Sequence, residues 1–372
     1  VTVAIVVKTR YTSRLPVSGP ATRIARVSPT FPFPVLVADI GGTNARFALI
    51  ETPADDYRLL PQIATASTDG VAEAIRRAAF AAPGARPKTA IMAIAGPIVG
   101  DAVELTNCPW VIEPKKLIAE FGFEAVVLVN DFEAQGLALP ELKPEDVVVI
   151  GGGTFRPDAT KAVVGPGTGL GVGVLIHFDG RWIPVPGEGG HVSLGPESDR
   201  ERAIWPFMTA VSDDDAPAGA AHPRITGECA LSGQGLENLH RAILACDGRP
   251  AQNLSAVEIS RAAAAGEPAA VEAFHHFAAG LGRLAGDLAL TVLPKGGVYI
   301  GGGISPKNLA FLTDGTFRAA FEAKAPHRAR LSEIGTAVVV HSHPAMVGLS
   351  GWARRPDRYA VELDGRLWTR DA

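Results

Sequence analysis

From Val35 onward the chain alternates short apolar runs with stretches of helical spacing. VLVADIGGTNARFALIE (35–51) is a β-rich run interrupted by Gly41-Gly42, after which RFALIE resumes an apolar alternation. That pattern predicts strand, tight turn, strand. Residues 71–82 (VAEAIRRAAFAA) have helical spacing and few breakers. TAIMAIAGPI (89–98) reads as a buried strand ending in Gly-Pro, and AVVLVNDFEAQGLAL (125–139) as a strand that turns helical near Asp131. Strand and helix in alternation indicate an α/β domain.

The second half repeats the theme. KAVVGPGTGLGVGVLIHFDGRWIPV (161–185) predicts strand, glycine turn, strand and a further strand. An Ala-rich helical stretch covers about 255–293, GGVYIGGGI (296–304) is a strand, and AVVVHSHPAMVGLSGWA (337–353) is a strand followed by a final helix. Each half therefore offers one glycine-turn hairpin, which suggests a duplicated core holding a ligand between the copies. Two segments stand apart. Residues 1–33 carry Lys8, Arg10, Arg14, Arg23 and Arg26, no acid and several prolines. Their apolar start precedes the basic residues, the reverse of a secretory signal, so they are expected to form a disordered extension. SDDDAPAGAAHP (212–223) is an acidic loop of small residues, expected to be mobile.

A chain of 372 residues exceeds one comfortable domain, so two are expected. Hydrophobic residues at 47% allow sizeable cores. A formal charge of −4 argues against a nucleic-acid partner, which usually requires a basic face. Small molecules remain as the default partners. Cys108, Cys229 and Cys246 are widely separated and form no CxxC pair, which fits a reducing, cytoplasmic setting. No apolar run approaches the ~20 residues that span a bilayer, so no membrane association is expected.

The glycines carry the first chemical signal. Gly165, Gly167, Gly169 and Gly171 form a GxGxGxG run, but a dinucleotide site needs a helix directly after the glycines, and VGVLIHF follows instead. A Walker loop needs Gly-Lys-Ser/Thr, which none of these glycines supplies. A hairpin turn that exposes backbone N–H groups can still bind phosphate as an anion nest. Thr43 and Thr168 each add a hydroxyl to such a turn. Asp39 precedes the first turn, where a carboxylate would repel phosphate unless Mg²⁺ lay between them, largely through water. One such hairpin alone would read as an ordinary turn; two, with Asp39 and both threonines, point to a nucleotide.

DIGGTNARFAL, LVNDFEAQGLA, GPGTGLGVG, PGEGGHV, ALSGQGLENL and YIGGGI occur in the order found in bacterial glucokinases. From about Val35 to Gly351 the chain resembles that family, part of the superfamily of sugar kinases, heat-shock chaperone ATPases and actin. The resemblance implies an α/β, two-lobed actin-like ATPase (ribonuclease H-like) fold with duplicated β-hairpin phosphate loops. A smaller lobe would comprise residues 34–140 plus 345–372, and a larger one 141–344. It also implies ATP with Mg²⁺, D-glucose as acceptor, a glycolytic role and a homodimer. Carried over by residue, Asp39, Gly41, Gly42, Thr43 and Asn44 hold the ATP phosphates and metal, and Gly167, Thr168 and Gly169 form the second phosphate loop. Gly301, Gly302 and Gly303 contact the adenosine side. Asn130, Asp131, Glu188, His191 and Glu228 bind the sugar. Zinc-dependent relatives in the broader repressor/ORF/kinase group carry a cysteine cluster after the corresponding histidine. Here VSLGPESDR follows, so His191 is better read as a sugar ligand.

The residues suit that chemistry. Phosphoryl transfer to a hydroxyl needs positioning, charge neutralisation and a proton acceptor. Asp131, expected to be that acceptor as general base, falls where a buried strand ends and a helix begins, the edge at which α/β folds place ligands. It could equally serve as a helix N-cap there. Glu188 and His191 lie in Gly187-Glu-Gly-Gly-His, a turn too glycine-rich to be built for core packing, and supply acceptors and donors for sugar hydroxyls. Without the resemblance, Glu228 in RITGECAL could be an exposed helix start. Kinases of other hexoses or amino sugars, a polyphosphate donor and a non-catalytic sugar sensor stay open as alternatives.

Overall fold

The computed structural model describes residues 29–81, 84, 86–106, 108–210 and 224–371. Residues 1–28 of the expected extension and the loop 212–223 lie outside the described residues. The last residues of that extension are packed: Phe31 is buried edge-on against Trp352 at 5.2 Å, and the carbonyl of Pro32 accepts the Thr89 hydroxyl. An aromatic residue able to reach a core decided this against the basic, proline-rich composition.

Two sheets carry the molecule. The first runs from Arg58–Leu59 through Asn44–Ile50, Val35–Ile40, Thr89–Ile94 and Ala125–Asn130 to Leu367–Thr369, with Ile63–Ala64 also paired to Asn44–Ile50. The second runs from Arg181–Val185 through Leu170–Phe178, Lys161–Pro166, Val298–Ile300 and Thr336–Val339 to Val147–Val149. Along these two orders the pairings are the same: antiparallel, antiparallel, parallel, parallel, antiparallel. The duplication suggested by two hairpins thus extends to six strands. Thr89–Ile94 and Lys161–Pro166 are buried throughout, as strands covered on both faces must be, which explains their near-continuous apolar runs.

Helices cover the sheet faces, and their limits refine the pattern. The predicted stretch 255–293 is two helices, Ala256–Ala264 and Pro268–Val292, parted at Gly266 in the left-handed region (φ 82°). Pro268 opens the second at a position where its missing N–H costs nothing. Only Val298–Ile300 of 296–304 is strand, and 71–82 forms an α-turn, Val71–Ile75, followed by a wider π-helical turn, Arg76–Phe80. No helix among the described residues is long and apolar enough to cross a membrane.

The helix Asp131–Ala138 joins the two halves. It follows the first sheet's strand Ala125–Asn130, packs on the helix Pro344–Arg354 and lies against Lys161–Pro166 and Leu170–Phe178 of the second sheet.

Beside the second sheet, Glu201 forms a buried pair with Arg283, the guanidinium Nη1 donating at 2.9 and 2.8 Å. Glu201 also accepts the backbone N–H groups of Glu197 and Ser198 at 2.7 and 3.1 Å; burial would raise its carboxyl, but His276, Arg283 and these N–H groups together hold it far below the usual range. Glu201→Ala would leave the Arg283 charge buried without a partner. Urea unfolding is expected to show a loss of about 3–5 kcal/mol, the size seen when one member of a buried pair is removed.

Candidate active site

Three strand ends meet at one edge of the first sheet. Ile40 is in register with Ile94, and Ile94 with Asn130. Asn130 caps the following helix: its Oδ1 accepts the backbone N–H of Phe132 at 2.9 Å and of Glu133 at 3.4 Å. The capping role open to Asp131 therefore belongs to Asn130, and Asp131 is the first helical residue. With Oδ1 committed, the Nδ2 group is the part of Asn130 that can meet a ligand. Asp131 Oδ1 takes a second bond from the Phe132 N–H at 2.9 Å, which fixes the carboxylate at the helix start.

The first hairpin turn, Gly41–Thr43, is pinned from outside. Thr65 donates its hydroxyl to the Gly42 carbonyl at 2.7 Å and its N–H to the Thr43 carbonyl at 3.0 Å. Gln62 donates to Asn44 Oδ1 at 2.8 Å. Gly42 and Thr43 themselves are exposed. Asp39 is paired with Arg46 Nη1 at 3.3 Å.

The second hairpin divides its four glycines between two tasks. Gly165 and Gly171 sit opposite each other across the strands. A Cβ on Gly165 would lie 2.5 Å from the Phe132 ring, and one on Gly171 would fall inside that ring's van der Waals envelope. These two glycines make a slot for an aromatic ring, which leaves only the turn Gly167–Gly169 open to the phosphate-nest reading. In that turn the Gly167 N–H bonds the Gly169 carbonyl at 2.8 Å, and the Gly167 carbonyl accepts from the Gly233 N–H at 2.8 Å. Gly301 donates to the Val164 carbonyl at 2.8 Å and Ile304 to that of Pro166 at 3.3 Å, which brings Gly301, Gly302 and Gly303 beside the same turn.

Glu228, in the helix Gly227–Leu231, accepts the Leu170 N–H on Oε2 at 2.8 Å. It is half-buried, so it is not the exposed helix start that its sequence context allowed, and it braces the second turn. The turn Gly189–His191 is also more closely packed than its glycines suggested. Gly190 is buried, and a side chain there would collide with the Leu170 carbonyl, so the glycine serves close approach. Glu188 and His191 are exposed on this turn, and Arg224 fixes the His191 carbonyl at 3.0 Å.

Charge gathers at the cleft. Burial pushes the Asp131 carboxyl up to about 6, and the nearby Asp39 and Glu188 charges add to the rise against the stabilising Phe132 N–H. Burial also raises Asp39, opposed by the Arg46 guanidinium and by His343. Sequence reasoning missed several parts of this site: Thr65, Phe132, Arg46, His343 and the Gly96-Pro97 segment, which lines the same pocket as Asn130 and Glu188. Gly96-Pro97 was within reach, since it follows a parallel strand's C-terminal end, where ligands gather. Thr65 and Phe132 carry no local signal; only the fold shows what they touch.

The model of the glucokinase family matches residues 36–356. The glucokinase of Sinorhizobium fredii (strain NBRC 101917 / NGR234) is 45% identical over 340 residues, covering 91% of this chain and 97% of that protein. The chain belongs to the glucokinase family. Among solved structures, a glucokinase from an Antarctic psychrotroph has a TM-score of 0.74 at 31% identity, covering 87% of this chain and 99% of that one. A glucokinase from Balamuthia mandrillaris, solved in complex with glucose, has a TM-score of 0.68 at 23% identity over 86% of this chain and 93% of that one, a likeness of fold. The six ordered motifs had pointed to this glucokinase family and to its two-lobed α/β actin-like ATPase fold; both hold. The chain is an enzyme, a sugar kinase.

Gly171→Ala tests the ring slot. Its methyl must displace Phe132 and with it Asp131, so kcat is expected to fall at least tenfold, with a stability loss of about 1–3 kcal/mol from overpacking. Phe132→Ala placed on that background should recover part of the stability, a non-additivity that a double-mutant cycle would read.

Proposed function

We propose that the glucokinase reaction runs in this cleft with Asp131 as the base that accepts the proton of the sugar hydroxyl. The observation that carries this reading is a carboxyl raised to about 6 at a strand's C-terminal end, beside Asp39 and Glu188. A base tuned near the working pH combines a large ionised fraction with useful basicity. ATP is the phosphoryl donor and glucose the acceptor. The turns at Gly41, Gly42, Thr43 and at Gly167, Thr168, Gly169 cradle the phosphates, and Gly301, Gly302 and Gly303 lie on the adenosine side. Asn130 Nδ2, Glu188, His191 and the free oxygen of Glu228 orient the sugar.

Asp39 is the residue that would hold Mg²⁺. No cluster of three or more ligating side chains exists among the described residues, which suits an ion that keeps its waters and binds through one carboxylate and the substrate's phosphates. When bound, that ion neutralises phosphate charge. Closure of the lobes 34–140 plus 345–372 and 141–344 would then exclude water from the phosphoryl group. The homodimer, the cytoplasmic setting and the glycolytic role belong to the same reading and rest on the family resemblance.

A coupled assay for glucose 6-phosphate with Mg²⁺-ATP and a panel of hexoses tests the assignment. A preference for glucose is expected; preference for another hexose would keep the mechanism and change the substrate. Asp131→Asn should lower kcat by about 10²–10⁴ with glucose binding retained. In the unaltered enzyme kcat/KM should rise with pH through about 6, because Asp131 must lose its proton to act. Full activity of Asp131→Asn would discard the base role.

A further inference from the structure

The chain beyond the helix Pro344–Arg354 fastens to both sheets. Tyr359 forms a parallel bridge to Trp182 on the edge strand of the second sheet, and the Ala360 N–H donates to the Trp182 carbonyl at 2.8 Å. Leu367–Thr369 then pairs antiparallel with residues 125–127 of the first sheet, and the Trp368 indole N–H donates to Asp101 Oδ1 at 2.7 Å. Between these anchorages the segment passes the cleft, where Arg366 lines one pocket with Asn130, Glu133 and Glu188.

Arg366 brackets the turn that carries Asn130 and Asp131. Its carbonyl accepts the Leu128 N–H at 3.0 Å, two residues before Asn130. Its guanidinium Nη1 donates to Glu133 Oε2 at 2.7 Å, two residues after Asp131. Glu133 is 6% exposed, and its N–H is one of the two that Asn130 Oδ1 accepts. Burial raises the Glu133 carboxyl, opposed by the Arg366 charge and the Asn130 backbone N–H. A carboxylate in this place costs desolvation, and what it supplies beyond an apolar side chain is a bond of fixed direction. Successive side chains on a helix point about 100° apart, so Phe132 and Glu133 hold the first turn from different sides. Phe132 is seated on the second sheet's hairpin, and Glu133 is tied to the segment that enters the first sheet's last strand.

We propose that Arg366 is a positioning residue for sugar phosphorylation. Acting through Glu133, it fixes the rotation of the helix start, and with it the aim of Asn130 Nδ2 and of the Asp131 carboxylate at the sugar. This rests on the roles proposed above for those two residues. The phosphate turns are held by other groups: Thr65 pins the first and the Gly233 N–H the second. Loss of the Arg366 bond is therefore felt on the sugar side and not on the nucleotide side.

The test compares the unaltered full chain with Arg366→Met and with Arg366→Met combined with Glu133→Gln. Steady-state kinetics, calorimetric glucose titration without nucleotide, and urea unfolding are measured on each. Arg366→Met is expected to lower kcat at least fivefold and to weaken glucose at least threefold, with KM for ATP within twofold, because small misplacements of reacting groups are costly. Adding Glu133→Gln removes the buried charge left without its partner, so the urea midpoint should rise while kcat stays low. The double variant carries the comparison if Arg366→Met alone does not fold. A smaller fall in kcat, a kcat that recovers together with the urea midpoint, or a KM for ATP that rises as much as glucose weakens would overturn the positioning role. Asp131→Asn measured alongside separates the two readings. Full activity there overturns the base role, and its loss with Arg366→Met unchanged overturns only the positioning.

Discussion

The seating of the Phe132 ring between Gly165 and Gly171 is the contact on which the site depends. Asp131 and Phe132 are adjacent on one helix turn, so the position of the carboxylate is set by where the ring can lie. That ring lies on the second hairpin, while the helix grows out of the first sheet. One aromatic side chain therefore ties the carboxylate of one half to the phosphate-type turn of the other. Interiors pack at crystal-like density, so two absent methyl groups are enough to define such a slot.

Around that contact the electrostatics are deliberately uncomfortable. The Asp39 and Glu188 charges both act on Asp131, and burial raises Asp39 and Asp131. Arg46 offsets part of the cost at Asp39, and the Asn130 cap with the Phe132 N–H orders the helix start at Asp131. Under the proposed function, a phosphate substrate that brings its own divalent cation would offset the negative charge that Arg46 leaves.

Both sheets share one order of pairing over six strands, and the helix Asp131–Ala138 that follows the first lies against the second. The segment from Leu139 to Val149 crosses from one copy to the other. It continues the helix Asp131–Ala138 into the edge strand Val147–Val149 of the second sheet.

Much of this was legible along the chain. Strand–turn–strand at 35–51 and 161–185 followed from apolar, β-rich runs interrupted by glycines, and six ordered motifs carried the glucokinase family with its two-lobed fold. Local patterns report local constraints: a glycine turn, a strand end beside Asp131, a helix start. Tertiary structure decided what each glycine was for. Gly165 and Gly171 look like Gly167 and Gly169 in sequence, yet one pair receives a ring and the other forms a turn, because their fate depends on Phe132, more than thirty residues away. It also decided that Asn130 rather than Asp131 caps the helix, that Glu228 braces Leu170, and that Phe31 belongs to the core. Close approach between distant segments leaves no trace in spacing, so only the packed chain could determine it.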